Sequence, residues 1–543
     1  MGRNTVADQA TLQAVHAAAQ RGEHAHAAAL AQVALADGLE HPLLFNIVAL
    51  GHEQRGETEE AVRLLTRAVQ VAPADQPARN ALGLVLLRLE RPVEALAQFE
   101  VLLRLNPTLP FAHVSRGTAL SALGLVAEAE ASYKRALAID PHHGVALAGL
   151  ARVASSRGAY GDARTLAEKS LSALPGFPEA VLALASAELG ERDPYSAEAR
   201  IRALLADNRI GPLEHAYANG LLGDVLDAKN YVDDAFAAYT ACNQELQAIY
   251  GGRFTGDRNA HGYVCSLQQY FERASSEAWK QRPPADSRRT GAAQHVFLLG
   301  FPRSGTTLVE VILEGHPNVV SLEENESLID ALEEFMRRPE DLERLVRAPL
   351  ERLEQFRAAY WQHVAAAGID VMGRMFVDKN PLNTLKLPLI ARLFPDAKIL
   401  FACRDPRDVV LSCYRHRFRM SAPIYELLTL EGATRYYDAV MQFALQLFGM
   451  LSFDTYLVRH EDVVTGFGRE MNRICAFLGI EWDPGMGDFA LRTRNRTSLT
   501  PSTAQLSKGL STEGLGQWRR YQRHLSGVLP MLDPWVRRFL YEE

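Results

Sequence analysis

A short loop near the middle of the chain carries residue types that bind anions. The segment GFPRSGTTLVEVIL follows an apolar run and opens what reads as a helix. Successive backbone amides in such a loop, together with the positive end of the helix dipole, converge on a phosphate or sulfate group. The pattern therefore predicts an anion cradle. Its residues are one cation and four small or hydroxyl-bearing neighbours: Arg303, Ser304, Gly305, Thr306 and Thr307.

The loop differs from that of nucleoside triphosphatases at one position. The spacing from Gly300 to Gly305 agrees with the pattern G-x-x-x-x-G-K-[ST], but Thr306 stands where the pattern has lysine. Because that lysine reaches the β- and γ-phosphates of a triphosphate, its replacement argues against ATP or GTP hydrolysis. A kinase or nucleoside triphosphatase is kept as an alternative. A donor with a 5′-phosphosulfate group fits better, with the cation inside the loop at Arg303.

A second candidate anion site lies downstream, in ACRDPRDVVLSCY. Arg404 ends an apolar run, and Ser412 follows eight residues later. A guanidinium makes fork-like contacts with phosphate oxygens, and a hydroxyl one or two helical turns onward completes the cradle. Taken alone, the motif is also typical of a solvated helix start with an aspartate cap. Combined with the lysine-free loop, it predicts a site for a second phosphate.

Together these motifs resemble those of the sulfotransferase superfamily, and within it the protein-tyrosine sulfotransferases. The resemblance covers residues 295–525. It implies 3′-phosphoadenosine 5′-phosphosulfate as co-substrate, with the 3′-phosphate at Arg404 and Ser412, and it requires no metal. A sulfonate would pass to a hydroxyl of a protein or peptide, with tyrosine as one candidate, or of a glycan or small alcohol. A repeat scaffold with an inactive nucleotide-binding domain is the remaining alternative.

The resemblance also assigns catalytic residues. Alignment through the His-Pro pair of HPNVVSLEENESL gives the role of base to Glu324, with Glu323 beside it, although adjacent acidic residues are also typical of a solvated surface. Lys379 in D-K-N-P would face the transferring sulfonate. Ser502 in PSTAQLSKGLSTEGLGQW would lie near the leaving group. Arg303 would act on the same phosphosulfate.

Roles for five more positions follow from comparison with the family. Lys508 would contact a phosphate, and Trp518 reads as a packing residue. His460 replaces the tyrosine that contacts adenine in the family, so it could stack, form a hydrogen bond or be purely structural. Glu326 and Asp330 replace two arginines that favour acidic peptides. If they face the acceptor, an acidic peptide would be repelled.

The N-terminal half repeats with a period of 34 residues, which is the period of the tetratricopeptide repeat. Small residues recur in this phase where helices must approach closely: Gly83, Gly117 and Ala151. Prolines that would end helices recur as well: Pro73, Pro107, Pro141 and Pro175. The concave face of such an array binds proteins or peptides. Alternatively, the array only stabilises the enzyme or makes a homodimer.

Short apolar runs alternate with helical patterns after residue 290, as in HVFLLGF, AKILFACRD and TYLVRHEDV. This alternation predicts a parallel sheet with helices on both faces. The expected fold is an all-α tetratricopeptide-repeat superhelix followed by an α/β, P-loop-like sulfotransferase domain. We expect the repeat array over residues 1–250, a helical connector and linker over 251–290, and the sulfotransferase domain over 291–543.

Composition narrows the class of protein. The formal charge is −7 and no long basic run occurs, which argues against a nucleic-acid partner. The five cysteines show neither zinc-ligand spacing nor a disulfide framework, so a cytoplasmic protein is expected. Neither a signal peptide nor a run of eighteen apolar residues is present, so no membrane anchor is expected.

Overall fold

A computed structural model describes residues 5–256, 259–284, 291–495, 506 and 509–541. Internal contacts divide the chain into two compact units, with the division between Ala187 and Glu188. The expected site residues Ser502 and Lys508 lie outside the described ranges.

Consecutive helices joined by short turns make up the chain as far as residue 254. Their bounds are α1 (Thr5–Gln20), α2 (His24–Ala36), α3 (Pro42–Gln54), α4 (Thr58–Val71), α5 (Gln76–Arg88), α6 (Pro92–Leu105), α7 (Pro110–Ala122), α8 (Val126–Ile139), α9 (Gly144–Ser156), α10 (Tyr160–Ala173), α11 (Pro178–Gly190), α12 (Pro194–Leu205), α13 (Pro212–Ala228) and α14 (Val232–Phe254).

The periodic prolines end helices as predicted. Helices α4, α6, α8 and α10 each end two residues before the proline of their repeat. The ring fixes φ and the missing amide cannot continue the hydrogen-bond ladder, so the chain turns there. The helical-repeat prediction is confirmed for this part of the chain.

The periodic glycines lie where two helices touch. A methyl group on Gly83 of α5 would come within 2.5 Å of the Phe99 ring of α6. One on Gly117 of α7 would come within 2.7 Å of the Tyr133 ring of α8. Each glycine therefore makes room for a large aromatic side chain of its partner helix, and the predicted close approach is confirmed at these two positions.

The C-terminal part alternates helices with strands. The strands are β1 (Gln294–Gly300), β2 (Val319–Glu323), β3 (Met375–Lys379), β4 (Lys398–Cys403) and β5 (Asp454–Arg459). The helices are α15 (Ala260–Arg273), α16 (Ser276–Lys280), α17 (Thr306–Leu313), α18 (Ile329–Phe335), α19 (Leu342–Val346), α20 (Leu350–Ala366), α21 (Leu387–Leu393), α22 (Pro406–Arg415), α23 (Ala422–Glu426), α24 (Leu430–Met450), α25 (His460–Thr465), α26 (Phe467–Leu478), α27 (Phe489–Asn495), α28 (Gln522–Leu525) and α29 (Leu529–Arg538). Short 3-10 helices cover Pro339–Asp341, Pro381–Lys386, Pro484–Asp488 and Gln517–Tyr521.

The five strands form one sheet in the order β2-β3-β1-β4-β5, and every pairing is parallel. Parallel strands end at the same edge, so the residues that follow them are brought together. The register sets Glu323 of β2 beside Lys379 of β3. The parallel sheet predicted from three apolar runs is confirmed, and β2 and β3 complete it.

Helices cover both faces of this sheet. Val296 and Leu298 of β1 belong to a buried core shared with residues of α17 and α26. On the opposite face, the Phe297 ring lies 6.3 Å from the Tyr360 ring of α20 and 5.9 Å from the Phe394 ring. Successive strand residues point to opposite faces, so one strand contributes side chains to the cores on both sides of the sheet. In the described part of the chain, no helix combines the length and apolarity needed to cross a membrane.

Candidate active site

The predicted anion loop lies between β1 and α17. Its backbone takes the left-handed region at Arg303, with φ of 70°, and at Gly305, with φ of 96°. Left-handed backbone at a non-glycine residue costs on the order of 1–3 kcal/mol and often occurs at binding sites. Ser304, Thr306 and Thr307 are buried beside the helix start. The loop is therefore a tight turn directly before a helix start, which is where an anion cradle is expected.

His460, the first residue of α25, packs directly on this loop. A methyl group on Gly305 would come within 2.4 Å of the His460 Nδ1 atom, so only glycine fits there. Burial, with the charges of Arg404 and Arg303, lowers the pKa of the imidazole to about 3. Its Nδ1 atom is buried and has no hydrogen-bond partner among the described residues. The ring is thus neutral and packs against the loop backbone at Gly305.

The two predicted anion motifs touch each other. Arg303 Nε donates a hydrogen bond to Ser412 Oγ at 3.0 Å, and Arg404 Nη1 donates to the Arg303 carbonyl at 3.4 Å. Burial and the neighbouring Arg404 lower the pKa of the Arg303 guanidinium to about 10. Two cations this close repel each other, so a bound anion would relieve the repulsion.

Arg404 is held from the C-terminal side as well. It donates to the Gly514 carbonyl and lies 3.8 Å from a carboxylate oxygen of Asp408. Asp408 in turn accepts the backbone amides of Gly516 at 2.7 Å and Trp518 at 2.8 Å. The Nε atom of Arg404 is buried without a partner within the described ranges. This orphan donor fits a phosphate oxygen.

The sequence also allowed the Arg404 motif to be simply the start of a helix with an aspartate cap, and the structure has such a cap. Asp405 caps α22 by accepting the Arg407 amide at 3.0 Å, but both residues are buried, so this helix start is not a solvated one. The Arg407 guanidinium lies 3.9 Å from the ring centre of Trp518. Trp518 is buried, in agreement with its predicted packing role.

Lys379 lies at the centre of a cluster of carboxylates. Its Nζ atom is 2.9 Å from Glu324 Oε1, 3.0 Å from Glu323 Oε1 and 3.5 Å from Glu310 Oε2. The side chain is completely buried, at the carboxyl end of β3. Burial alone would lower the pKa of this ammonium, but the three carboxylates outweigh it and raise the pKa. Lys379 is therefore a permanent cation inside the domain.

Glu324 joins this cluster to the loop. Its backbone amide donates to the Lys379 carbonyl at 2.7 Å, and its backbone has a positive φ of 46°. Its side chain is 47% exposed, whereas that of Lys379 is fully buried. The negative charge of Glu324 also favours a higher pKa for Arg303, against the larger effect of burial. A carboxylate that is fixed at one end and open to an incoming hydroxyl has the placement that a general base needs.

Sequence reasoning missed Glu310. This residue of α17 is completely buried, and its Oε1 atom accepts a hydrogen bond from Ser321 Oγ at 2.8 Å. A glutamate inside the apolar run LVEVIL was the signal, since a buried carboxylate must find a partner. The partner, Lys379, could not be identified before the strand order was known.

Asp378, which precedes Lys379, is buried on the other side of β3. Its Oδ2 atom accepts the Tyr360 hydroxyl at 2.7 Å, and its Oδ1 atom accepts from Asn383 Nδ2 at 3.3 Å. Burial raises the pKa of the Asp378 carboxyl to about 7. Tyr360 also meets His295 Nε2 at 2.9 Å, which makes a buried polar chain behind the site.

The acidic residues expected near the acceptor are paired. Glu326 accepts from Asn380 Nδ2 at 3.1 Å and forms an ion pair with Lys386. Asp330 Oδ2 lies 2.7 Å from His363 Nε2. Because Lys386 offsets the negative charge of Glu326, the predicted repulsion of acidic groups is weaker at this position than the sequence implies.

These features define an α/β domain with an anion loop after β1, an arginine and serine pair after β4, and a buried lysine with carboxylates where β2 and β3 end. No group of three or more potential metal ligands occurs in the ranges that the structure describes.

Comparisons with known proteins agree with this class. Residues 295–484 match the model of the Sulfotransferase family, and residues 49–110 and 114–178 match that of the tetratricopeptide repeat. The chain therefore carries tetratricopeptide repeats followed by a sulfotransferase domain.

Individual relatives are distant. An uncharacterized protein of Aquifex aeolicus is 25% identical over 61% of this chain and 43% of its own length. Protein-tyrosine sulfotransferase A of Caenorhabditis elegans is 25% identical over 46% of this chain and 67% of its own length. The protein-tyrosine sulfotransferase of Drosophila melanogaster is 24% identical over 44% of this chain and 50% of its own length. The matches thus cover between 43% and 67% of these relatives.

Proposed function

We propose that the protein is a sulfotransferase that uses 3′-phosphoadenosine 5′-phosphosulfate as its donor. The observation that carries the proposal is the direct contact of Arg303 with Ser412 and Arg404, which joins two cationic motifs in one site. A donor with anionic groups at its 5′ and 3′ positions suits two such motifs. The lysine-free loop argues against a triphosphate.

The reaction would be an in-line displacement. The acceptor hydroxyl oxygen attacks sulfur while its proton passes to Glu324. The bond between sulfur and the bridging phosphate oxygen breaks, and its electron pair leaves with 3′-phosphoadenosine 5′-phosphate. Arg303 and the loop amides would hold the phosphosulfate, and Lys379 would fix Glu324 and offset charge as it develops. Ser502 and Lys508 would contribute at the leaving group and a phosphate, as the family resemblance implies.

The acceptor we propose is a hydroxyl on a protein or peptide, with tyrosine as one candidate. Two of the relatives bear the name protein-tyrosine sulfotransferase, and tetratricopeptide repeats generally bind proteins. A glycan or small alcohol is the alternative acceptor. Pairing of Glu326 with Lys386 leaves an acidic peptide acceptable.

Calorimetric titration with 3′-phosphoadenosine 5′-phosphate, with ATP in parallel, tests the donor. We expect micromolar binding of the 3′-phosphorylated nucleotide, much weaker binding of ATP, and loss of binding in Arg404→Ala. The matched control is Arg209→Ala, because Arg209 is an exposed arginine in the turn between α12 and α13 and belongs to neither anion motif. Equal binding of ATP, or full binding by Arg404→Ala, would contradict the proposal.

Transfer itself is tested with radiolabelled donor and a panel of peptide, glycan and alcohol acceptors. Incorporation of label that requires Glu324 supports a working enzyme. Donor binding without transfer to any acceptor would instead support the alternative of a repeat scaffold with an inactive nucleotide-binding domain.

A further inference from the structure

Two aspartates of helix α13 form ion pairs with arginines at the end of α22. Asp227 Oδ2 lies 2.5 Å from Arg415 Nη2, and Asp224 Oδ2 lies 2.5 Å from Arg417 Nη2. These partners are 188 and 193 residues apart in sequence. All four side chains are partly buried, so the ion pairs are shielded from much of the screening that weakens surface pairs.

The two carboxylates are themselves held in place. Asp227 Oδ1 accepts the Tyr521 hydroxyl at 2.7 Å and lies 2.9 Å from Arg520 Nη1. Asp224 Oδ1 accepts the Tyr239 hydroxyl at 3.0 Å. A carboxylate with several fixed donors presents its remaining oxygen in one direction, so each aspartate can orient the arginine it meets.

Helix α14 contacts the same segment through uncharged side chains. Asn243 Nδ2 donates to the Tyr414 carbonyl at 2.9 Å, and the hydroxyls of Thr240 and Tyr414 are 2.8 Å apart. The Phe236 ring stacks on Tyr414 with 5.3 Å between ring centres. The end of α22 is thus fixed by hydrogen bonds, ion pairs and packing from α13 and α14 together.

This segment adjoins the donor loop. Ser412, which accepts the hydrogen bond from Arg303, is on the same helix, one turn before Arg415. The positive charge of Arg415 is one of the causes that lower the pKa of Arg303. Burial, followed by the charges of Arg303 and Arg417, lowers the pKa of the intervening His416 well below its usual value. Residues 415–417 and the Arg303 guanidinium therefore share one electrostatic environment.

We propose that Asp224 and Asp227 are positioning residues of the donor site. They hold Arg415 and Arg417, fix the end of α22, and so keep Ser412 where Arg303 needs it. Helices α13 and α14 are then a working part of the nucleotide site and not a spacer before it. The inference rests on the proposed function, because the ligand is the donor named there.

The direction in which nucleotide affinity changes when an aspartate is replaced separates a positioning role from a purely electrostatic one. Removing a negative charge close to an anion site should tighten binding of the anionic nucleotide. Losing the position of α22 should weaken it. We expect positioning to prevail, because the aspartate charge is already offset by the arginine it pairs with.

The first test uses the full chain with Asp227→Asn and Asp224→Asn. We expect each to weaken binding of 3′-phosphoadenosine 5′-phosphate about tenfold by calorimetry, while keeping a cooperative melting transition in the absence of nucleotide. The control is Glu130→Gln, which breaks a similarly buried ion pair with Arg157 in the N-terminal unit. Unchanged or tighter binding by both aspartate variants would overturn the proposal. Absence of binding by the unmodified protein would instead contradict the proposed donor.

The second test needs no variant and applies even if the substitutions unfold the chain. Amide hydrogen exchange is measured with and without 3′-phosphoadenosine 5′-phosphate. We expect binding to slow exchange in α13 and α14 as well as in α22, with little change in α1 to α10. Protection of α22 without protection of α13 and α14 would refute the inference while leaving the proposed function intact.

Discussion

Lys379 Nζ lies 2.9 Å from Glu324 Oε1, although 55 residues separate them in sequence. The backbone of the same two residues is also joined, by the hydrogen bond from the Glu324 amide to the Lys379 carbonyl at 2.7 Å. Side chain and main chain thus fix the carboxylate relative to the buried cation. The proposed base and the proposed charge-stabilising group therefore form one rigid unit.

Replacing the proposed base should abolish transfer and spare binding. For Glu324→Gln we expect turnover to fall by about 10²- to 10⁴-fold, the usual range for loss of a general base. The dissociation constant for 3′-phosphoadenosine 5′-phosphate should stay within about twofold, because Glu324 does not belong to the phosphate contacts. Glu323→Gln is the control. A larger loss in Glu323→Gln than in Glu324→Gln would transfer the role to Glu323.

Removing the central lysine should destabilise the domain. Lys379→Met leaves buried carboxylates without their cation, a change that costs about 3–5 kcal/mol. Denaturant unfolding measures the loss, and addition of Glu310→Gln should recover part of it, since Glu310 is the fully buried partner. Stability of Lys379→Met equal to that of the unmodified protein would contradict the buried ion cluster.

The loop glycine should not tolerate a side chain. Gly305→Ala would meet His460 and would also place alanine at a φ of 96°, so we expect a loss of about 1–3 kcal/mol in stability and weaker nucleotide binding. The control is Gly449→Ala in α24, where a methyl group meets nothing within 4 Å. That change should be neutral or stabilising, because alanine has a higher helix propensity than glycine.

Stability should depend on pH through Asp378. Burial raises the pKa of this carboxyl to about 7 in the folded protein, above the ordinary value of 3.8, so the folded state holds the proton more tightly. Its contribution to stability is present at low pH and is lost as the pH rises through 7. Asp378→Asn should therefore gain roughly 1–3 kcal/mol relative to the unmodified protein between pH 5 and pH 8.

Thermal or denaturant unfolding at the two pH values measures this difference. Buried histidines outside this hydrogen-bonded chain, such as His416, titrate equally in both proteins and cancel. Asp370→Asn, at an exposed aspartate, is the control and should show no such trend. A difference independent of pH would show that Asp378 is ionised throughout.

Acceptor choice should respond to Glu326. This residue is paired with Lys386, so Glu326→Gln would leave a cation beside the site and favour acidic peptides over neutral ones. We expect the ratio of kcat/KM values to shift by about three- to tenfold, on the order of 1 kcal/mol, because the glutamate is half exposed and its charge is screened. A ratio that does not move would place Glu326 away from the acceptor.

Features that depend on residues close together in sequence, such as the helical repeats and the loop after β1, could be predicted from the sequence. The 34-residue spacing of prolines and glycines identified the helical repeats, because each repeat must end a helix and admit a neighbour at the same position. The glycine-bounded loop after an apolar run predicted a strand, a tight turn and a helix start, and the structure has them in that order. That this loop binds an anion stays a prediction. Arg404 and Ser412 were selected from a local pattern too, and the structure brings both into contact with Arg303, while their role in binding a phosphate stays a prediction.

Only the tertiary structure decided which distant residues meet. Glu310 joins Lys379 because strand register and helix packing bring β3 beneath α17, and Glu326 is neutralised by a lysine 60 residues away. Asp227 meets Arg415 across 188 residues, which no periodicity encodes. Side-chain spacing specifies which face of an element is buried, whereas the partner on that face depends on how the elements pack.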